Sequence, residues 1–581
     1  MKFRMPVLLI VMLVLFCGIA TAQDAWIPET ADPPLIIAPE WDEPDTPLGV
    51  MARADGLIYF TDIDAPLKDY LQTSARCVFE SLRPSQLMQR LAWVKEVDVS
   101  PYAGTLTDAR WLYMFGNLKK ITLTDATLTD LSVIGGFTNL IELTLINCGH
   151  FDLTPLVSCE DLAALSIGWG DEYRAASGEF DLTPLKALKN LKTLGLYGSG
   201  IRSVEPLASF SRRLRALTLS DTAIEDYAPL SDFLNLNALT LDLLHSDAAA
   251  QILRAVPRDI KTLTLSRIIL DGDAWDTAKR FNSLTDYTLT DCDVTDPLFY
   301  ETLNKATRLT LDGIGMPDGG MIGKVYADKT TMVLRGVPEA IMISMLSTRS
   351  SYLQTLTIDV EALTENLSAA LRKKTSLNKV TVGVKADADL SGDVWGRISG
   401  IRDLTIDSAG KTLLSTDFLS ALTHVRTLTL SGVEVADTAG IATLSNLSQL
   451  NVYGCRIADW SFLSNLQGLT IVKVYGSELA NDALPYFAAL RALDDLRLNG
   501  NRITDISAQT ASQTIRKLDI LSNPIADYTP LLEMPALRTV YLDQGGIITG
   551  NYILARSVYI DDVDYEAIYQ AAFGAEDNSG E

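Results

Sequence analysis

The feature that most constrains this chain is a period. Apolar-x-apolar triplets begin at Val97, Ile121, Leu143, Leu165, Leu194, Leu217, Leu239, Leu263, Tyr287, Leu309, Met332, Leu356, Val380, Leu404, Leu428, Leu450, Val472, Leu496, Leu518 and Val540. Nearly every step is about 22 to 24 residues. The step from Leu165 to Leu194 is longer, about 29 residues, and Gly168 to Gly178 reads as a loop inserted there. A unit this short cannot hide its leucines from water alone, whereas stacked neighbours can. The period therefore predicts a linear core built by repetition.

Several units spell L-x-x-L-x-L-x-x-N/C-x-L: Leu493, Leu496, Leu498, Asn501, Ile503; Ile515, Leu518, Ile520, Asn523, Ile525; and Leu447, Leu450, Val452, Cys455, Ile457. Period and signature together predict an α/β solenoid, a leucine-rich-repeat curved right-handed superhelix with a parallel β-sheet on the concave face. About 20 repeats at about 4.8 Å per strand give a ladder on the order of 95 Å long. Residues 1–22 read as a signal peptide, 23–49 as an acidic, Pro-rich disordered leader and 50–95 as an N-terminal helical cap. Residues 96–548 form the solenoid, and 549–581 a C-terminal cap and tail. The cap rests on helix-spaced Leu67, Leu71, Val78, Leu82, Leu87 and Leu91, since terminal repeats need a polar cover; Tyr559 to Phe573 is expected to close the other end.

Where the chain leaves its strands it resembles the internalin-type repeats of Gram-positive bacterial surface proteins. The resemblance is carried by Phe151-Asp-Leu-Thr-Pro-Leu156, Phe180-Asp-Leu-Thr-Pro-Leu185, Ile224-Glu-Asp-Tyr-Ala-Pro-Leu230 and Ile525-Ala-Asp-Tyr-Thr-Pro-Leu531. It runs from about Val97 to Leu542. Between His245 and Asp417 the Asp-x-x-Pro-Leu form is lost, which leaves short 3₁₀ turns or fuller helices open for the middle, with Glu361 to Leu371 read as helical. The resemblance implies extracellular recognition of a protein or glycan, host molecules included, through the concave face. The alternative is a structural or adhesive surface component without one defined ligand.

Lys2 and Arg4, the apolar run from Met5 and Ala20-Thr21-Ala22 read as an export signal cleaved before Gln23; the reading of Cys17 as a lipid anchor competes for the same residues. No later stretch approaches about 20 apolar residues, so no membrane span is expected. The product is expected to be secreted or loosely held at a cell surface, as a monomer. Its 49 basic and 73 acidic residues leave a formal charge of −24, which repels nucleic acid and anionic membranes. That charge serves solubility or attracts a cationic partner. Beyond Cys17, the scattered Cys77, Cys148, Cys159, Cys292 and Cys455 make a poor disulfide framework and show no Cys-x-x-Cys zinc spacing. Cys148, Cys292 and Cys455 fall instead on the repeat position where a small side chain turns inward.

Searches for catalytic patterns point away from an enzyme. The only histidines, His150, His245 and His424, lie in different parts of the ladder, and H-E-x-x-H, G-x-x-x-x-G-K-[ST] and G-x-S-x-G are all missing. No cofactor or metal is expected. Binding is a different matter. The residue between each pair of core apolars points onto the open sheet face, and from Thr122 to Thr429 it is mostly threonine. High β-propensity explains such a ladder, although regular threonine arrays also occur on ice-binding solenoids. After Thr429 the position reads Asn451, Lys473, Arg497, Asp519, Tyr541, and two residues along each strand come Tyr453, Tyr475, Asn499, Leu521, Asp543. Aromatic residues and arginine dominate binding hot spots. Tyr453, Tyr475, Lys473, Arg497, Asn499, Asp519, Tyr541 and Asp543 are therefore the candidate partner-binding residues, against the plainer reading of a varied solvent face whose charges pair across strands.

Overall fold

The computed structural model describes residues 131–148, 152–168, 181–198, 200–246, 248–314, 329–347 and 352–541. It also describes 95–98, 117–124 and short pieces at 50–52, 58–60, 112, 128 and 553–554. The expected signal peptide and leader, helix-spaced Leu67 to Leu91, the Gly168 to Gly178 insertion beyond Gly168, Asp543 and the Tyr559 to Phe573 closure lie outside the described residues. Within the expected cap, Val50–Ala52 and Ile58–Phe60 form an antiparallel pair. By contact the chain divides into two units, Met1–Leu241 with Ala255–Pro257, and Asp242–Arg254 with Arg258–Glu581.

In the first unit the repeat cores form parallel strands in register. Val97 stands opposite Ile121, and the same line continues through Leu143, Leu165, Leu194 and Leu217. Leu165 and Leu194 are neighbours although their step is the long one, so the extra residues leave the sheet's register intact. Every residue on this line is at most 1% exposed. Burying each such side chain is worth about 1.5–3 kcal/mol, which only the stack makes available.

The return segments of this unit are short 3₁₀ helices, among them Thr154–Ser158, Thr183–Ala187 and Ala228–Asp232, with proline in their first turn. The Asp-x-x-Pro-Leu pattern has a direct cause. Asp152 Oδ1 accepts from the Thr154 N–H at 2.9 Å and from its hydroxyl at 2.6 Å, Asp181 Oδ1 from the Thr183 N–H at 2.8 Å, and Asp226 Oδ1 from the Ala228 N–H at 2.8 Å. Each carboxylate closes an Asx turn, proline presets φ for the next step, and the following leucine drops into the core. Leu156, Leu185 and Leu230 are at most 1% exposed.

The second unit runs from Thr262–Leu270 to Ile553–Leu554 with the same parallel register. Its early returns are helical: Ala249–Ala255, Gly272–Ala278, Glu339–Ser347, Glu365–Leu371 and Val394–Arg397. The middle thus mixes the two forms, since the 3₁₀ helix Pro297–Lys305 stands among these helices, and the helix expected over Glu361 to Leu371 begins only at Glu365. Thr364 caps it, accepting from the Leu367 N–H at 3.2 Å, and Asp271 likewise caps Gly272–Ala278 through Ala274 at 2.8 Å. From Asp417–Ala421 onward 3₁₀ turns return, apart from the short helix Leu484–Ala488.

Two columns follow the strands. The fourth residue after the first core apolar takes positive φ in many rungs: Asn147, Asp221, Arg267, Asp291 and Ser522 as well as Gly313, Gly454 and Gly500. One position later Cys148, Cys292, Cys455, Asn501 and Asn523 turn inward and are buried. Cys148 Sγ donates to Leu123 O at 3.1 Å and Cys292 Sγ to Leu265 O at 3.2 Å, each tying its rung to the one before. Burial pushes the Cys292 and Cys455 thiols up to about 11 and about 12, so they are packing groups and not nucleophiles.

Gly440 shows how closely the returns stack. A Cβ there would lie 1.7 Å from the Thr416 carbonyl oxygen, whereas one at Gly396, in a helical return, would meet nothing within 4 Å. Gly440→Ala is expected to cost about 1–3 kcal/mol in thermal or urea unfolding. Gly396→Ala should instead gain about 0.5–1 kcal/mol from helix propensity. Equal effects would show that the spacing of the returns is not fixed.

Candidate functional site

Alternation along each strand sends the triplet's middle residue to the open face of the sheet. In the first unit the line runs Asp98, Thr122, Thr144, Ser166, Gly195, Thr218. The glycine is not accidental: a Cβ at Gly195 would meet the Tyr197 ring at 2.8 Å, because that ring folds back across the strand. In the second unit one unbroken line runs Thr264, Thr288, Thr310, Val333, Thr357, Thr381, Thr405, Thr429, Asn451, Lys473, Arg497, Asp519, Tyr541.

The structure thus brings the candidate residues onto adjacent rungs. Tyr453 stands opposite Tyr475, with ring centroids 5.6 Å apart and planes tilted by 43°. Lys473 stands opposite Arg497, and Arg497 opposite Asp519. Tyr453, Lys473, Asn499 and Tyr541 are half-buried, with part of each surface open. Tyr475 and Asp519 differ: they are only 5% and 2% exposed and belong to the floor of the patch rather than to its contact surface. Neighbouring long side chains on a closely spaced sheet cover them, which a count of alternating positions does not reveal.

Asp495, which the sequence pattern did not single out, organises the patch. Its carboxylate takes both arms of the Arg497 guanidinium, Nε to Oδ1 at 3.0 Å and Nη2 to Oδ2 at 2.9 Å, and Lys517 Nζ lies 3.7 Å away. A forked pair holds arginine in a plane. Asp495 lies two residues before Arg497, so it shares the outer face, and this spacing was the available signal. The principal ion pair of the patch therefore runs along one strand rather than across two. Hydrogen bonding to Asp495 holds the Arg497 guanidinium well above its ordinary value, and burial raises the Tyr475 phenol.

Asp519 is the most perturbed acid here. Burial pushes its carboxyl up to about 6, against the hydrogen bonds from Asn499 Nδ2 (3.2 Å) and the Leu521 N–H (3.4 Å) and the charges of Arg497 and Lys517. Lys517 Nζ also sits over the Tyr541 ring, 5.3 Å from its centroid. On the upstream rung Gln449 Nε2 donates to Asn451 Oδ1, and Asn451 Nδ2 donates to Thr429 Oγ1, both at 3.0 Å. The result is a preorganised surface of a half-open aromatic pair beside oriented amides, a fixed guanidinium and carboxylates. Such a surface can stack on a ring or apolar group and hydrogen-bond around it.

Among the described residues, no three His, Cys, Asp or Glu side chains are grouped to hold a metal ion, and no helix is long and apolar enough to cross a membrane. No protein-family model and no curated protein matches the sequence. Solved structures do. An internalin of Listeria monocytogenes is 16% identical, with 78% of this chain and 94% of that one covered and a TM-score of 0.25. The mouse RP105/MD-1 complex gives 16% identity, 74% and 87% coverage and a TM-score of 0.45. A leucine-rich-repeat protein of Leptospira interrogans gives 14%, 79% and 98%, and 0.31. At these identities and scores, the leucine-rich-repeat assignment stands on this chain's own period, register and burial.

Proposed function

We propose, starting from the leucine-rich-repeat ladder as premise, that this chain is a non-enzymatic binding scaffold, exported from its cell, that recognises a protein or glycan partner through the open face of its C-terminal rungs. One observation carries the reading: the in-register line on that face changes from threonine to Asn451, Lys473, Arg497, Asp519 and Tyr541, alongside the Tyr453–Tyr475 pair. Chemical variety on a rigid ladder is what allows a ligand to touch several rungs at once. The charged amino-terminal start and small-x-small site support export.

Tyr453→Ala combined with Lys473→Ala is the test, because both side chains are half-open and their loss leaves the floor residues Tyr475 and Asp519 and the Arg497–Asp495 pair in place. Labelled protein lacking residues 1–22 is applied to intact cells and to immobilised glycans. The double variant is expected to bind at least tenfold more weakly, as hot-spot losses of about 1.4 kcal/mol or more imply. Thr288→Ala with Thr310→Ala, on the threonine stretch, should bind normally. Equal binding by all three proteins would remove the patch and favour an adhesive component without a defined ligand.

A further inference from the structure

A second place in the second unit carries unmet charge. Arg258 stands in the turn just before the strand Thr262–Leu270, and Arg280 in the turn just before Asp286–Thr290. These strands are neighbours in register, with Thr262 opposite Asp286, and the Thr285 and Asp286 N–H groups both donate to Lys261 O, at 2.8 and 3.0 Å. The two turns are thereby held side by side. Arg258 is exposed and Arg280 half-buried, so both reach the surface, on the edge of the ladder where the chain enters its strands.

In a chain with 73 acidic and 49 basic residues an arginine readily finds a carboxylate. Arg267, Arg308, Arg372 and Arg497 all do. Arg258 and Arg280 do not: among the described residues neither forms an ion pair, and the covered Arg280 Nε has no acceptor. The acids nearest in sequence to Arg280 are engaged elsewhere, Asp276 with Lys279 at 2.6 Å and Asp286 with Arg308. Burial and the charge of Arg258 hold the Arg280 guanidinium below its ordinary value, and no carboxylate acts in the other direction. Like charges kept together without a counter-charge repel, and a covered N–H without an acceptor is costly.

We propose that Arg258 and Arg280 form an anion site, which takes a small tetrahedral oxyanion, sulfate or phosphate, free or as the terminal ester of a small sugar. Guanidinium groups suit such a ligand, since each offers parallel N–H donors that match two oxygens of the anion. One dianion accepting from the outer N–H groups of both arginines cancels the repulsion that the folded chain otherwise carries there. The overall charge of −24 limits the size of the ligand, because it repels a long polyanion such as nucleic acid far more than an ion of one or two charges. Both arginines leave from turns and not from the open sheet face, so the site is independent of the C-terminal patch.

Sodium sulfate and sodium phosphate are the probes, each titrated calorimetrically into the full chain at pH 7 and at constant ionic strength in sodium chloride. Saturable binding of a single anion per chain is expected. Arg258→Gln and Arg280→Gln should each weaken it roughly tenfold. Arg502→Gln with Arg516→Gln removes two paired cations elsewhere and should change affinity less than twofold, and Tyr453→Ala should leave it unchanged. Galactose 6-sulfate and glucose 6-phosphate tell the sources apart: binding as tight as that of the free ions assigns the site to the end of an ester, and failure of both assigns it to the free ion. If none of the four compounds binds saturably, the site is refuted. It is refuted equally if the Arg258 and Arg280 variants lose no more than the Arg502/Arg516 variant, since the anions then sense only general charge. Arg258 is exposed, so its variant keeps the test valid should Arg280→Gln unfold.

Discussion

Asn501→Ala is expected to lower the unfolding free energy by about 3–5 kcal/mol, among the largest effects of any polar substitution in this protein. The side chain is 6% exposed and its hydrogen bonds join two rungs. Nδ2 donates to Val474 O (2.7 Å), Leu498 O (3.0 Å) and Asn499 O (3.1 Å), while Oδ1 accepts from the Ser477 N–H (3.0 Å) and the Leu479 N–H (3.2 Å). Alanine strands these backbone groups without water, and each unmatched one costs about 1–3 kcal/mol before relaxation. Asn501→Cys should lose less, because Cys455 fills the equivalent place one rung pair earlier, donating to Tyr453 O at 3.3 Å and accepting from the Val433 N–H at 3.5 Å. Urea unfolding ranks the three proteins. Alanine and cysteine behaving alike would mean that the column is held by volume, not by hydrogen bonds.

Asp519→Asn should stabilise the protein at pH 8 and do nothing near pH 4. The native carboxyl is raised to about 6 from an ordinary 3.8, chiefly by burial. Between those values the folded chain holds a proton that the unfolded chain has released, so Asp519's favourable contribution is complete below about 3.8 and lost as pH rises through about 6. The shift corresponds to about 3 kcal/mol above pH 7. Asparagine carries no such penalty, and its single oxygen keeps one of the two donors, Asn499 Nδ2 on Oδ2 or the Leu521 N–H on Oδ1. The turn carboxylates Asp152, Asp181 and Asp527 are shifted the other way by their hydrogen bonds, so their contributions vanish only below about 3.8, outside this window. Melting curves of both proteins at pH 4, 6 and 8 decide the matter, and a constant gap between them would sink it.

The ladder was legible because leucine burial leaves a period that nothing else in the chain imitates. Leu493, Leu496, Leu498, Asn501 and Ile503 are all at most 6% exposed, as their signature requires. The pairing of Tyr453 with Tyr475 followed from equal offsets along neighbouring strands. What escaped the pattern depends on reach rather than on period. Arg497 chooses Asp495 on its own strand, and Arg335 crosses two rungs to find Asp407, because long side chains lean along and across the sheet. The positive-φ column escaped too, since Asn147, Asp221, Arg267 and Ser522 carry a conformation usually marked by glycine. In the middle, the loss of Asp-x-x-Pro-Leu announced a change, but Glu339–Ser347 packs Ile341, Met342, Met345 and Leu346 together, so its burial, not its caps, sets its form.

The register across Leu165 and Leu194 bears on how such a chain changes over generations. Two neighbouring strands of the first unit stay aligned although the stretch between them is longer than elsewhere, and within the second unit α and 3₁₀ returns both stand behind strands in register. Insertions and deletions that land behind the ladder therefore leave the columns of its open face where they were. Surface chemistry and chain length become separately editable, the first one residue at a time and the second one segment at a time.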